Sequence, residues 1–201
     1  MIRVLLADDE HLIRVALAQM LDLEEDITVV GQASTGPEAV AQARMLGLDV
    51  AVLDLQMPDL DGIAVAARIA DLLPGCGCLV VTSHGRPGLL KRALSTGVRG
   101  FLPKTTSAQT LAAAVREVAA GGRYVDPGLA AEAMALGDSP LTPSETAVLE
   151  AAADGAPVEE IARRTHLAGG TVRNYLSSAA TKLSAANRHE AVNTARRMGW
   201  I

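Results

Sequence analysis

The stretch Asp49-Val50-Ala51-Val52-Leu53-Asp54, with the loop Leu55-Gln56-Met57-Pro58-Asp59-Leu60-Asp61-Gly62 behind it, decides the fold. Four small or branched apolar residues, Val50 to Leu53, end abruptly in a carboxylate. A run this short and this uniformly apolar, bounded by turn residues, predicts a strand buried on both faces, as in a parallel sheet. Asp54 then stands at the strand's carboxyl end, the edge at which open α/β sheets bind ligands.

Working outward from Asp54, the same grammar recurs. Ile2–Ala7 predicts a strand that Asp8-Asp9-Glu10 stops, and His11–Leu23 carries apolar residues at helical spacing. Ile27–Val30 predicts a second strand, and Thr35 with Glu38 opens a helix as a capping box. After the Asp54 strand come a helix over Gly62–Leu73, a strand over Leu79–Thr82 and a helix over Pro87–Thr96. A strand over Val98–Leu102 and a helix over Thr106–Ala120 complete the series. Five strands alternating with five helices predict an α/β doubly wound five-stranded parallel sheet.

Residues 121–140 are rich in Gly, Pro and Asp and read as a linker, with a short helix predicted over Gly128–Leu136. Residues 141–201 form the second domain. Thr142, Pro143 and Glu145 together are a helix-start signal. Val158, Ile161 and Ala162 mark a second helix, Thr171–Leu183 a third, and Ala191–Met198 a fourth. Four helices with a tight turn between the middle two predict a C-terminal all-α helix-turn-helix domain.

The bulk numbers narrow the function classes. Net charge is −5, which argues against a generic nucleic-acid binder. The charge is uneven, however: residues 1–120 carry 10 basic and 14 acidic side chains, residues 121–140 carry 1 and 3, and residues 141–201 carry 7 and 6. Cys76-Gly77-Cys78 lacks the spacing of redox or zinc motifs and reads as two reduced thiols. His11, His84, His166 and His189 form no pair at metal-ligand spacing; His11 and His84 lie near the strand ends in sequence. With no signal segment or transmembrane run, the expectation is a soluble cytoplasmic protein that does not engage membranes.

The strand ends converge chemically. The first delivers Asp8 and Asp9, the third Asp54, the fourth Thr82 and Ser83, and the fifth Lys104. Clustered carboxylates repel unless a divalent cation neutralises them, and hard oxygen ligands suit Mg²⁺. A lysine and a hydroxyl alongside are what a transferred phosphoryl group needs, with Asp54 as the nucleophile. Taken singly, each residue also has a bland reading as a turn, a cap or a solvated charge. Their order across four strand ends favours the joint one.

Residues 1–120 resemble a response-regulator receiver domain, which is flavodoxin-like. The resemblance is carried by Asp8-Asp9, Asp54 with Met57-Pro58 and Gly62, Val81-Thr82-Ser83, and Phe101 three residues before Lys104. It implies that Asp54 accepts phosphate from a sensor histidine kinase. It also implies that Asp9, Asp54 and the backbone carbonyl of Gln56 hold Mg²⁺, with Asp8 contributing mostly through water. Thr82 and Phe101 would be the switch residues that read the phosphate. An aspartate nucleophile with Mg²⁺ also serves haloacid-dehalogenase-like phosphatases, but those carry Asp-x-Asp, and Gln56 occupies the second acidic position here. The expectation is therefore not an enzyme.

In the tail, the third helix opens with Thr171-Val172-Arg173-Asn174-Tyr175. Burying Val172, Leu176, Ala179 and Leu183 turns Arg173, Asn174, Ser177, Ser178, Thr181 and Lys182 outward. Arg and Asn read guanine and adenine edges in the major groove, and the second helix of a helix-turn-helix does the reading. Arg163, Arg164, Lys182 and Arg188 are available for phosphates. A merely solvated polar face is the alternative. The motifs Leu141-Thr142-Pro143, Glu160-Ile161-Ala162, Thr171 to Tyr175, Lys182-Leu183 and Asn187-Arg188 resemble the LuxR-type helix-turn-helix. Receiver plus this tail resembles the NarL/FixJ class. Gly85-Arg86-Pro87-Gly88, Thr171 to Leu176 and Gly199-Trp200-Ile201 are most like its DesR-like subgroup.

What this resemblance implies is a transcription regulator that dimerises on phosphorylation. It would bind double-stranded promoter DNA as two half-sites through Thr171, Arg173, Asn174, Tyr175, Ser177, Lys182 and Arg188. One departure stands out: Ala168 replaces the usual Ser at the recognition helix's N-cap, and losing such a cap costs about 1 kcal/mol.

Overall fold

The computed structural model describes residues 1–83 and 87–201. The expectations attached to His84, Gly85 and Arg86 lie outside the described residues. The chain forms two compact units whose main division falls between Ala131 and Glu132, within the expected linker.

In the first unit, five helices alternate with the strands: α1 (His11–Asp22), α2 (Gly36–Met45), α3 (Gly62–Leu72), α4 (Pro87–Ser95) and α5 (Ala108–Ala119). The strands are β1 (Ile2–Ala7), β2 (Ile27–Ala33), β3 (Val50–Asp54), β4 (Gly77–Thr82), β5 (Gly100–Pro103) and β6 (Tyr124–Val125), paired in the order β2-β1-β3-β4-β5-β6. All the pairings are parallel. β3 is buried along its whole length, as its unbroken apolar run requires. The sheet order reverses at β1 and β3, so the crevice beyond their carboxyl ends is the topological switch point where Asp8 and Asp54 emerge. Packing beneath is aliphatic: Val4, Leu6, Val50, Val52, Leu79, Val81 and Leu102 meet Leu111, Val115 and Val118 of α5.

The sheet has six strands where the sequence predicts five. β6 pairs with β5, Tyr124 N–H donating to Arg99 C=O at 2.9 Å and Asp126 N–H to Phe101 C=O at 3.0 Å. Two residues are too few to show a period, and the free edge of β5 supplies the ladder that makes them a strand.

Gly62 answers a local demand. Its N–H donates to Leu55 C=O at 3.0 Å, folding the loop back over Asp54, and a Cβ there would collide with the Asp54 carbonyl oxygen. Asp61 then caps α3, its carboxylate accepting from Ala64 N–H at 2.7 Å. Elsewhere α1 starts differently: Glu10 is its N-cap residue, but the Glu10 side chain makes no cap bond.

The second unit holds α7 (Pro143–Ala151), α8 (Val158–Thr165), α9 (Gly169–Lys182) and α10 (Arg188–Met198), preceded by α6 (Pro127–Leu136). Thr142 and Glu145 form a reciprocal capping box at α7, as the sequence predicts. α8 ends at His166 in the left-handed conformation, φ 55°, which makes the tight turn into α9. Asn187 caps α10, and Gly199 closes it at φ 72°. Val148, Leu149, Ile161, Val172, Leu176, Ala179, Val192 and Ala195 make the core, with Trp200 and Ile201 packed against it. α9 begins at Ala168 with no side-chain cap bond.

Candidate functional site

β1 carries Asp8 to the crevice, and β3 carries Asp54; both are buried, at 0% and 4% exposure. Asp9, the next residue after Asp8, is exposed. Oxygens of Asp8, Asp9 and Asp54 lie within 4.8 Å of one another. β4 ends in Thr82, 1% exposed, and β5 hands the chain on to Lys104, whose N–H donates to Thr82 C=O at 2.8 Å. The ladder between two strand ends thus fixes the lysine's backbone beside the hydroxyl.

The Lys104 ammonium lies 2.8 Å from Asp8 Oδ2, 3.1 Å from Asp54 Oδ2 and 2.9 Å from Glu10 Oε1. One cation therefore serves three carboxylates. Burial pushes the Asp54 carboxyl up, to about 6, and the neighbouring Asp8 charge adds to the shift; Lys104 and a backbone hydrogen bond from Gln56 oppose it. Burial works against the charge on Lys104, yet its ion pairs with Asp8 and Glu10 and the charge of Asp54 hold its pKa well above the ordinary lysine range.

The donor set fits a hard divalent cation. Three carboxylates converge, and Asp8 Oδ2, although paired by charge with Lys104, accepts no hydrogen bond. The contact with Lys104 at 2.8 Å is an ion pair without hydrogen-bond geometry, which leaves that oxygen suited to a cation. Phe101, expected as a switch residue, is fully buried within β5.

Glu10 was no candidate from sequence; it read only as part of the acid run that ends β1. Nothing local signals a contact to a lysine 94 positions away. The site brings together Asp8, Asp9, Asp54, Thr82 and Lys104, and the Gln56 backbone contact with Asp54 is through its N–H.

In the second unit, α9 presents Arg173, Asn174 and Ser177 as exposed residues, with Thr171 and Tyr175 half-buried. Arg173 reaches only a loose ion pair, 3.8 Å from Glu159. Lys182 is exposed, as predicted, yet also reaches α7, while Ser178 is half-buried there: Ser178 Oγ donates to Glu145 Oε1 and Lys182 Nζ to Glu145 Oε2, both at 2.7 Å. Glu145 is 3% exposed. Burial would raise its pKa, but Lys182, the Thr142 N–H and the Ser178 hydroxyl hold it down at about 2. Lys182 thus stays at the surface while its ammonium compensates a buried carboxylate. Arg163 and Arg164 pair with Glu160, Arg164 also with Asp154, and Arg188 donates to Ala156 C=O at 3.2 Å. Arg163, Arg164 and Lys182 are closely paired with carboxylates, whereas Arg173 on the α9 amino-terminal face is not.

Comparison with known proteins agrees with both units. Residues 4–116 match the response regulator receiver domain, and residues 139–195 match the bacterial regulatory proteins of the luxR family. The chain belongs to the response-regulator family. The regulator is 38% identical to the transcriptional regulatory protein DesR of Bacillus subtilis, across the whole of both chains. It is also 38% identical to UhpA of Escherichia coli over 202 residues, again across the whole of both. Among solved structures, the response regulator ChrA of a heme-sensing two-component system aligns with a TM-score of 0.59 at 30% identity, covering 100% of this chain and 98% of that one. RcsB in its DNA complex aligns with a TM-score of 0.68 at 25% identity, covering 98% of each. The regulator is thus a two-component transcription regulator of the NarL/LuxR type, with a LuxR-type DNA-binding domain. Among its described residues, no helix is long and apolar enough to cross a membrane.

Proposed function

We propose that Asp54 accepts a phosphoryl group from a phosphohistidine of a sensor kinase, and that this turns the regulator into a promoter-binding dimer. The observation that carries the reading is the Lys104 ammonium, 3.1 Å from Asp54 and 2.8 Å from Asp8, at four adjoining strand ends. An Asp54 carboxylate oxygen attacks phosphorus, the P–N bond to the kinase imidazole breaks, and the imidazole nitrogen keeps the electron pair. Lys104 neutralises one phosphoryl oxygen and the Thr82 hydroxyl donates to another. Asp8, Asp9, Asp54 and the Gln56 carbonyl would hold Mg²⁺, which would neutralise charge on the phosphoryl oxygens. Thr82 moving toward the phosphate, with Phe101 following, biases the equilibrium only if the phosphate prefers the active arrangement.

In this reading residues 1–120 receive the signal, 121–140 link, and 141–201 bind DNA in the cytoplasm. Arg173, Asn174 and Ser177 contact base edges, while Thr171, Tyr175 and Arg188 contact the backbone. Phosphorylation brings two copies together on two half-sites. The structure of RcsB in complex with DNA supports the tail's role. The test is labelling with acetyl phosphate and Mg²⁺, followed by dimer and promoter-binding measurements on wild type and Asp54→Asn. Wild type is expected to label, dimerise and bind more tightly, and Asp54→Asn to do none of these. Equal, donor-independent binding by both would sink the proposal.

A further inference from the structure

Glu10 stands where a helix cap belongs but does not cap. It occupies the N-cap position of α1, in extended conformation, with no side-chain bond to the first turn. Glu at that position gains little as a cap, because its longer side chain overshoots the N–H groups that Asp or Ser reaches. Its side chain instead spans to Lys104, Oε1 lying 2.9 Å from Nζ. The Glu10 backbone N–H donates to Asp8 Oδ1 at 2.9 Å, which fixes where that side chain starts. Lys104 is almost wholly buried, with a side chain 7% exposed, whereas the Glu10 side chain is 57% exposed. A half-exposed carboxylate therefore sits beside the buried lysine and holds the ammonium that an incoming phosphoryl group would take.

We propose that Glu10 is a positioning residue for Lys104 and a charge filter beside the Asp54 site. This rests on the reading of Asp54 as the phosphoryl acceptor. Before transfer, Glu10 shares Lys104 with Asp8 and Asp54. During transfer the ammonium must pair with a phosphoryl oxygen, so Glu10 and the phosphoryl group compete for the same N–H donors. The half-exposed Glu10 carboxylate, only partly neutralised by a lysine it shares with Asp8 and Asp54, also repels anionic donors in proportion to their charge. Glu10 thus slows phosphorylation by small dianionic donors more than by less highly charged ones. It also shortens the life of the phosphoaspartate, because Lys104 is drawn part of the time from the phosphoryl oxygen. Hydrolysis then proceeds by water attack at phosphorus, the P–O bond to Asp54 breaking to return the carboxylate and inorganic phosphate.

The test uses the full chain with Mg²⁺, as wild type, Glu10→Gln and Glu10→Asp. Acetyl phosphate supplies a dianionic donor and phosphoramidate one of lower charge. Glu10→Gln is expected to label about two- to fivefold faster with acetyl phosphate, the range an exposed ion pair commands. The gain should be smaller with phosphoramidate and should shrink as salt rises. Its phosphorylated form should last longer, and Glu10→Asp should fall between the other two. In the metal-free protein, the Lys104 ¹⁵Nζ resonance should move in Glu10→Gln, which a remote effect on folding would not produce. Equal labelling rates, lifetimes and Lys104 resonances in wild type and Glu10→Gln overturn this role while leaving the Asp54 reading standing. A wild type that takes no label at Asp54 overturns both.

Discussion

Each domain buries a carboxylate against a lysine, and the two pairs behave in opposite ways. In the receiver, Asp54 lies 3.1 Å from Lys104 and its pKa rises to about 6. In the helical domain, Glu145 lies 2.7 Å from Lys182 and its pKa falls to about 2. The depth is similar, 4% against 3% exposed. What differs is the company. Glu145 has no competing carboxylate and collects three donors, from Lys182, Ser178 and the Thr142 N–H. Asp54 must share its lysine with Asp8 and Glu10. A satisfied carboxylate is structural, while an under-satisfied one has affinity left for a cation and a phosphoryl group.

The sharpest way to break this contrast is to neutralise each carboxylate. Asp54→Asn should abolish labelling by phosphoryl donors. In the metal-free protein it should also raise stability near pH 7, by about 1–3 kcal/mol. The sign follows from a folded pKa raised from 3.8 to about 6: the stability tied to Asp54 is fully present below pH 3.8 and lost as pH rises through 6. The advantage of Asp54→Asn should therefore vanish below about pH 4 in denaturant titrations. Adding Mg²⁺ should stabilise wild type and leave Asp54→Asn nearly unmoved.

Glu145→Gln should do the reverse. It leaves Lys182 without its carboxylate and should destabilise the helical domain by about 3 kcal/mol at neutral pH, with labelling of Asp54 unchanged. Because the folded pKa of Glu145 is depressed from 4.5 to about 2, its contribution is present above pH 4.5 and lost as pH falls toward 2. Thermal melts of the two variants across pH should thus slope in opposite directions. Parallel slopes would show that the two pairs are alike after all.

A smaller effect probes the face that the Glu145 pair supports. Arg173→Ala should weaken promoter binding by about 1–3 kcal/mol and relax base preference at one position, without changing stability or phosphorylation. Binding assays on a set of single-base operator variants would read both effects. Smallest is Ala168→Ser, which should add about 0.5–1 kcal/mol to the helical domain by supplying the absent cap of α9. Denaturant midpoints would detect it.

The candidate site was legible because strand ends are local events. Asp8, Asp54, Thr82 and Lys104 each follow an apolar run, and the parallel order of the runs brings their ends to one edge. Glu10 was not legible, since its partner is 94 residues away and only side-chain reach joins them. The Glu145 pairing of Lys182 was not legible for a related reason: helical spacing assigns a face, but which carboxylate a lysine on that face reaches depends on how α7 packs.

By itself, then, the sequence determined the alternation of strands and helices, the carboxylates at the strand ends and the exposed Arg173 and Asn174. These rest on periodicity and chain order, which act over a few residues. Tertiary structure alone decided the sixth strand, the commitment of Lys182 to Glu145 and the sharing of Lys104 among three carboxylates. Each of those depends on which charges and hydrogen-bonding groups meet across space after burial, where unmet polar groups cost most.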